Sequence, residues 1–248
     1  MRGVFGSVSV AAALASCSRG GAVPLTSSSP APILLFNGTG TSKNDVSAVE
    51  AVLANSHLRY STADSAELDA LSELELRAFR LLIVPGGDFV VLGQSLQPAT
   101  SAHVRAAVQG GLSYLGICAG AFFAGDSPYN GLNLTAGKRF GFYSAELRGI
   151  RKAAVPISLA SGPMLDQYWE DGPQFSGWGA VVAKYPDGAP AVAQGPAGKG
   201  WVVLSGVHPE APENWRYGMR FTTPASASNA YAATLIRAAL DRTPLPQF

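Results

Sequence analysis

The sequence predicts an α/β domain with an open, mostly parallel β-sheet, helices on both faces and an antiparallel C-terminal extension. Two features of the chain carry this prediction. Before residue 125, short apolar runs alternate with segments of helical spacing, which is typical of a parallel sheet covered by helices. After residue 125, turn signals crowd together between short alternating runs, which indicates antiparallel strands.

The elements follow from these patterns. Short strands in the first half, mostly apolar runs that end in turn residues, are predicted over residues 31–36, 58–62, 81–84 and 112–117. Helices are predicted where apolar side chains recur at helical spacing, over residues 42–55, 65–79, 100–109 and 228–242. In the second half, antiparallel strands are predicted over runs such as residues 180–184 and 201–204.

Length and composition restrict the class of protein. A chain of 248 residues, of which 47% are hydrophobic, can bury a full-sized core and is not disordered as a whole. The 18 Lys and Arg residues nearly balance the 17 Asp and Glu residues, for a formal net charge of +1, and no basic run is present. Proteins that bind nucleic acid carry clustered basic residues, so a nucleic-acid partner is not expected.

The N-terminus has the pattern of a secretory signal. Residues 1–16 contain one arginine and then a short uncharged stretch, too short to span a bilayer. Leu14-Ala15-Ser16-Cys17 resembles a bacterial lipobox, which implies that Cys17 becomes a lipid anchor on an exported protein. We therefore expect a signal peptide over 1–17 and a flexible tether over 18–31. A wrong start codon is the alternative, and it would leave the protein in the cytoplasm.

Cys118 is the predicted nucleophile. It stands where an apolar strand meets a predicted helix that begins at Ala119, and Gly116 and Gly120 flank it. A sharp strand-to-helix turn raises a side chain above the sheet edge, as in hydrolases with a serine elbow, and a helix N-terminus stabilises a thiolate. A small buried hydrophobic residue is the alternative interpretation of a lone cysteine.

A nucleophilic thiol needs a base, and His208 is the predicted one. It follows an apolar run and precedes Glu210 by two residues, so in an extended segment both side chains point to the same side. Glu210 can then orient the imidazole, as the third member of a triad does. The other two histidines, His57 and His103, are expected to be surface residues.

The backbone N–H groups of Ala119 and Gly87 are the predicted oxyanion donors. Ala119 follows the nucleophile, and Gly87 lies in a Pro-Gly-Gly-Asp loop after a strand that we expect beside the Cys118 strand. An ordinary turn is the alternative interpretation of that loop. No cofactor and no metal are expected, because the sequence has neither a Gly-Lys-Ser phosphate loop nor His and Cys at zinc spacing.

These residues resemble the motifs of class I glutamine amidotransferase-like proteins. The oxyanion loop, nucleophile elbow and His-x-Glu pair of that superfamily match Pro85-Gly86-Gly87, Gly116-Ile117-Cys118-Ala119-Gly120 and His208-Pro209-Glu210. Within it, the sequence is most similar to the N-terminal domain of biotin-protein ligases and its stand-alone bacterial relatives. This similarity is carried by Phe36-Asn37-Gly38-Thr39-Gly40-Thr41, Val84-Pro85-Gly86-Gly87-Asp88, residues 110–120 and Tyr168-Trp169-Glu170-Asp171-Gly172-Pro173.

The resemblance implies a single flavodoxin-like domain over residues 32–242. It also implies a catalytic triad of Cys118, His208 and Glu210, and we expect substrate contacts from Asn37, Asp88, Tyr168 and Trp169. No biotin ligase activity is expected, because the chain shows neither a separate ligase domain nor a glycine-rich adenylate-binding segment.

Three functions stay open at the level of the sequence. The first is a cysteine-dependent amidohydrolase that cleaves a glutamine-like amide through a thioester. The second is a non-catalytic lipoprotein that binds a small amide or peptide at the cell envelope, with Tyr168, Trp169 and Trp178 as candidate residues beside the elbow cavity. The third is a peptidase of the same superfamily. A small amide or peptide is thus the expected ligand, and no protein partner is indicated.

Overall fold

The computed structural model describes residues 31–248. The predicted signal peptide over 1–17, its Cys17 anchor and residues 18–30 of the predicted tether lie outside the described residues. Within that described part, none of the helices has the length and hydropathy of a membrane span.

Strands and helices alternate through the first half of the described chain, as predicted. The strands are β1 (Ile33–Phe36), β2 (Tyr60–Ala63), β3 (Leu81–Val84), β4 (Ser113–Ile117), β5 (Gly141–Phe142), β6 (Lys152–Leu159), β7 (Leu165–Glu170), β8 (Pro173–Gln174), β9 (Ala180–Lys184), β10 (Pro190–Ala197) and β11 (Gly200–Ser205). The α-helices are α1 (Lys43–Asn55), α2 (Ser65–Ala70), α3 (Glu73–Leu76), α4 (Phe89–Gln94), α5 (Pro98–Gly110), α6 (Ala119–Ala124) and α7 (Ala225–Asp241). Short 3₁₀-helices cover Glu146–Arg148 and Glu213–Arg216.

One nine-stranded sheet organises the domain, in the order β2-β1-β3-β4-β11-β10-β9-β6-β7. Neighbouring strands from β2 to β11 pair in parallel, and neighbours from β11 to β7 pair antiparallel. The order of the parallel part is that of flavodoxin-like sheets. The predicted α/β class with an antiparallel C-terminal part is confirmed.

Strand β11 joins the two halves of the sheet. Residues 201–204 were predicted as an antiparallel strand, and β11 is antiparallel to β10 but parallel to β4. Its register aligns Ser205 with Ile117 of β4. The chain segments that follow β4 and β11 therefore leave the sheet side by side.

The prediction of one helix over residues 65–79 was wrong. The segment folds as the two short helices α2 and α3, and each begins with its own capping box, formed by Asp64 with Glu67 and by Ser72 with Glu75. The Ser72 side chain accepts a hydrogen bond from the N–H of Glu75. A cap in the middle of the segment starts a new helix and ends the old one, even where the apolar spacing continues.

The sheet has an apolar layer on each face. Alternate residues of a strand point to opposite faces, so Ile33 and Leu35 belong to the layer formed with α1 and α7, and Leu34 and Phe36 to the layer formed with α5 and α6. These four side chains are fully or almost fully buried. The two layers fix the strands, and the carboxyl ends of β1, β3, β4 and β11 meet at the edge where open parallel sheets bind ligands.

Candidate active site

Cys118 occupies a strained turn between β4 and α6. Its backbone angles, φ 49° and ψ −104°, are rare for a residue with a side chain. Its N–H donates to the carbonyl oxygen of Ser205 at 2.8 Å, which fixes the turn against the end of β11. Its thiol lies 3.5 Å from the carbonyl oxygen of Glu170. The strand-to-helix elbow predicted from the sequence is therefore present at Cys118.

Gly120 lets this elbow pack against β3. A Cβ atom at position 120 would overlap the carbonyl oxygen of Val84, so a larger residue does not fit without movement of the backbone. The N–H of Gly120 donates to the carbonyl oxygen of Pro85 at 3.2 Å. This close approach brings the Cys118 turn beside the Pro-Gly-Gly loop that follows β3.

His208 follows β11 and is held by two carboxylates. Its Nδ1 lies 2.9 Å from Oε1 of Glu210 and 3.0 Å from Oδ1 of Asp45. The N–H of His208 donates to the carbonyl oxygen of Tyr168 at 2.8 Å, so the backbone is fixed as well. All three acid and base side chains are buried. Because Nδ1 is engaged by the carboxylates, Nε2 is the ring nitrogen available to the Cys118 thiol.

Asp45 is a member of this cluster that the sequence did not reveal. It lies in the first turn of α1, where its N–H donates to the Ser42 cap. Acidic residues are common in the first turn of a helix, so the position alone carries no sign of a catalytic setting. The contact with His208 depends on long-range packing of α1 against the loop after β11.

The charges of the cluster favour a protonated imidazole. Burial works to lower the pKa of His208, but the negative charges of Cys118, Glu210 and Asp45 raise it well above its usual value of 6.5. Burial works to raise the pKa of Asp45, but the charge and hydrogen bond of His208 hold it below its usual value. Burial raises the pKa of Glu210 in spite of the opposing His208 charge. Asp45 is thus the ionised partner that best matches an imidazolium.

Cys118 and His208 line one cavity of about 550 Å³ together with both predicted oxyanion donors. Ala119 is the first residue of α6, where the helix offers its N–H no acceptor. The N–H of Gly87 has no hydrogen-bond acceptor among the described residues. Gly87 and Ala119 thus border the Cys118 cavity with N–H groups that have no acceptor among the described residues.

Two of the predicted substrate-binding residues, Asp88 and Tyr168, each line a cavity that His208 also lines. Asp88 lines the cavity, and its Oδ1 also caps α4 by accepting from the N–H groups of Val90 and Val91. The ring of Tyr168 lies 5.7 Å from that of His208, but it lines a neighbouring cavity of about 400 Å³ that His208 also borders.

Asn37 and Trp169 lie outside the lining of the Cys118 cavity. Asn37 is exposed and is not among the described residues that line the Cys118 cavity. Trp169 is fully buried in the core, with its indole N–H donating to the carbonyl oxygen of Gly172. The two predicted surface histidines, His57 and His103, are exposed as expected.

Residues 31–151 match the family model described as "Biotin-protein ligase, N terminal". These residues are similar to the N-terminal domain of biotin-protein ligases. The matched part includes Asp45, Gly87 and the Cys118 elbow, whereas His208 and Glu210 lie beyond it. A search of the curated proteins found no significant match.

Solved structures share the fold of the chain at low sequence identity. A crystal structure of a glutamine amidotransferase has a TM-score of 0.57 and 17% identity, over 80% of this chain and 99% of that one. A cytoplasmic protein from Salmonella typhimurium has a TM-score of 0.51 and 9% identity, over 83% of this chain and 98% of that one. An exo-beta-1,4-mannosidase from Opitutaceae bacterium strain TAV5 has a TM-score of 0.51 and 13% identity, over 83% of this chain but 36% of that one. The described chain thus has a glutamine amidotransferase-like fold.

The sequence motifs did not indicate the aromatic residues of the cavity. Phe89, Phe122 and Phe142 line it together with Cys118. Phe89 directly follows the Pro-Gly-Gly-Asp loop and Phe122 lies one turn after Cys118, so their closeness to the motifs is a signal that could have indicated them. Phe142 lies in the two-residue strand β5 and has no such signal.

Asp45, His208 and Glu210 also form a set of metal-type donors. One donor atom from each lies within 4.8 Å of the others. Carboxylate oxygens and an imidazole nitrogen suit a cation such as zinc. Such a cation would compete with a proton for Nδ1 of His208, and it would displace the hydrogen bonds to the carboxylates. That no metal takes part remains a prediction from the sequence.

Proposed function

We propose that the protein is a cysteine-dependent amidohydrolase that cleaves a glutamine-like amide through a thioester. One observation carries the proposal: Cys118, at a strained elbow, shares a cavity with His208, whose Nδ1 is held by Glu210 and Asp45. A thiol, a base and an acid that orients the base are the parts that nucleophilic catalysis needs.

The first half of the reaction forms the thioester. The Cys118 thiolate attacks the amide carbon, and the electron pair of the C=O bond moves onto oxygen beside the N–H groups of Gly87 and Ala119. When the C=O bond re-forms, the C–N bond breaks and the His208 imidazolium gives its proton to the departing nitrogen. The amine or ammonia leaves, and the acyl group stays on sulfur.

The second half removes the acyl group with water. Neutral His208 accepts a proton from a water molecule as its oxygen attacks the thioester carbon. The C–S bond then breaks, so the thiolate and the imidazolium are restored and the product is a carboxylic acid. The net reaction consumes one amide and one water and releases one acid and one amine or ammonia.

Alkylation by iodoacetamide tests whether the thiol is activated, without demanding any particular substrate. We expect Cys118 of the full-length chain to be alkylated at pH 7 at least about tenfold faster than Cys118 of His208→Gln, because the imidazolium stabilises the thiolate. His103→Gln is the matched control, since His103 is exposed in α5. Equal rates in wild type and His208→Gln would reject the proposal and favour a non-catalytic binding protein.

We further propose that the chain is exported and anchored to a bacterial membrane through Cys17. The support is the Leu14-Ala15-Ser16-Cys17 segment at the end of a short uncharged stretch. Full-length protein expressed in a bacterium supplied with an alkyne-tagged fatty acid should acquire the label, and Cys17→Ala should not. Unlabelled wild-type protein in the cytoplasm would contradict this localisation.

A further inference from the structure

The cavity beside Cys118 has an aromatic wall. The rings of Phe89 and Phe122 are stacked with their centroids 4.6 Å apart, and the ring of Phe142 meets that of Phe122 edge-on at 5.0 Å. Phe122 lies on α6, one turn after the nucleophile, and Phe89 is the first residue of α4. The nucleophile and the wall therefore belong to the same packed unit.

Part of this wall is exposed. Phe142 is 40% exposed, and outside the cavity lining Tyr129 is 39% exposed, with its ring centroid 6.1 Å from that of Phe89. Grouped aromatic side chains at the mouth of a concave site are a usual sign of ligand binding, because covering them removes apolar surface from water. The wall therefore favours a ligand with an apolar, ring-shaped portion.

The charges of the cavity disfavour a carboxylate. Among the described residues that line it, the basic side chains are His208 and Arg151. His208 is engaged by its carboxylate partners, and Nε of Arg151 donates to Oδ2 of Asp171 at 2.9 Å. A second guanidinium nitrogen of Arg151 lies 3.7 Å from Glu146. No cation among these lining residues is left unpaired for the carboxylate of free glutamine.

Acidic groups prevail in the same lining. Asp45, Asp88, Glu170 and Asp171 all contribute to it. A bound carboxylate would be repelled by this negative charge and would have no basic partner. Its binding would therefore cost free energy that the binding of a neutral group does not. The volume of about 550 Å³ also lies in the range of sites that hold drug-sized ligands.

We propose that the substrate of this site is a carboxamide whose acyl part carries an aromatic ring and no carboxylate. The ring rests on Phe89, Phe122 and Phe142 while the amide carbon reaches Cys118. This inference rests on the proposed function and specifies its substrate class as an arylalkyl amide in place of free glutamine. The bonds formed and broken are those of the two half-reactions above.

Two chloromethyl ketones with the same reactive group test the proposal. One carries a phenylethyl group, and the other carries the amino and carboxylate groups of glutamine. Alkylation rates of Cys118 in the full-length chain are measured by peptide mapping, which separates Cys118 from Cys17, and divided by the rate of each reagent with glutathione. We expect the phenylethyl reagent to react at least about tenfold faster on this scale, as burial of one aromatic ring allows.

Variants of the aromatic wall test whether the wall causes the preference for the phenylethyl reagent. Phe142→Ala and the milder Phe142→Leu should reduce the ratio of the phenylethyl rate to the iodoacetamide rate about fivefold or more. The matched control is Phe248→Ala, since Phe248 is 56% exposed at the C-terminus, outside the cavity lining. That variant should keep the wild-type ratio.

The outcomes separate the two proposals. If the glutamine-type reagent reacts as fast as the phenylethyl reagent, or if Phe142→Leu and Phe142→Ala keep the wild-type ratio, the aromatic substrate class is overturned while the His208-dependent iodoacetamide rate still supports hydrolysis. If alkylation by iodoacetamide does not depend on His208, both proposals fall together.

Discussion

At the scale of residues, the site depends on one imidazole shared by two carboxylates. Glu210 is two residues away from His208, so its contact was predictable from strand geometry. Asp45 lies on α1, far away in the sequence, so its contact was not. One Nδ1 proton cannot make two full hydrogen bonds, so the positive charge of a protonated ring is what satisfies the second carboxylate.

Removal of the thiol is the simplest residue-scale prediction. Cys118→Ala should lower amide or ester turnover at least about 1000-fold, because the covalent step is lost. The melting temperature should change little. The substitution replaces the thiol group by a hydrogen atom, which leaves only a small void and removes a weakly polar group from the interior. Turnover and thermal unfolding are measured on the same preparation. Near-wild-type turnover would show that another group carries the reaction.

Asp45 should control the ionisation of His208. In Asp45→Asn, the loss of one negative charge should move the pKa of His208 to lower pH than in wild type, and histidine proton NMR can follow this because the chain has 3 histidines. Asp187→Asn is a matched control, because Asp187 accepts from Ser144 in another cavity. An unchanged His208 titration in Asp45→Asn would mean that Cys118 and Glu210 set the charge of the ring without Asp45.

The adjacent residues Tyr168 and Trp169 lie on opposite faces of β7. Tyr168 and Trp169 were both expected at the ligand site, but neighbours in a strand point to opposite faces. Tyr168 packs against the His208 ring, and Trp169 packs in the core against Tyr143 at 5.7 Å between ring centroids. The motif located the strand correctly, and the pleat decided which of the two residues faces the site.

At the scale of elements, the elbow is built by the close approach of α6 to β3. Gly120→Ala should reduce the free energy of unfolding by about 3 kcal/mol, because its Cβ would overlap a backbone carbonyl that cannot move easily. Gly141→Ala is the control, since nothing lies within 4 Å of its added Cβ, and it should change stability by less than about 0.5 kcal/mol. Urea unfolding of both variants checks this, and equal stabilities would contradict the packing account.

Local signals predicted most elements because the strands of the parallel half, except the largely exposed β2, are short, mostly apolar and buried runs. The helix over 65–79 failed for a local reason as well, since Ser72 and Glu75 form a cap that apolar spacing does not report. The pairing of β11 with β4 is different, because a pairing between distant segments leaves no periodic trace in either of them. That pairing is what places His208 beside Cys118.

At the scale of the whole molecule, the buried imidazolium links folding to pH. The pKa of His208 is raised in the folded state, so its contribution to stability is complete below pH 6.5 and is lost as the pH rises through the folded value. Above pH 6.5, the free energy of unfolding should therefore fall by up to about 1.4 kcal/mol per pH unit from this group. Urea unfolding at several pH values should show this slope in wild type and a smaller one in His208→Gln. Equal slopes would contradict an imidazolium in the fold.

The central claim is that Cys118 forms a thioester that His208 helps to make and to break. Intact mass and peptide mapping of the full-length chain during turnover of p-nitrophenyl acetate test it most directly. We predict one acetyl group on Cys118 of wild type, release of more than one equivalent of nitrophenol, slower acetylation in His208→Gln, and no acetyl thioester in Cys118→Ala. Wild-type protein that never carries an acetyl group on Cys118, or Cys118→Ala that releases nitrophenol at the wild-type rate, would contradict the claim.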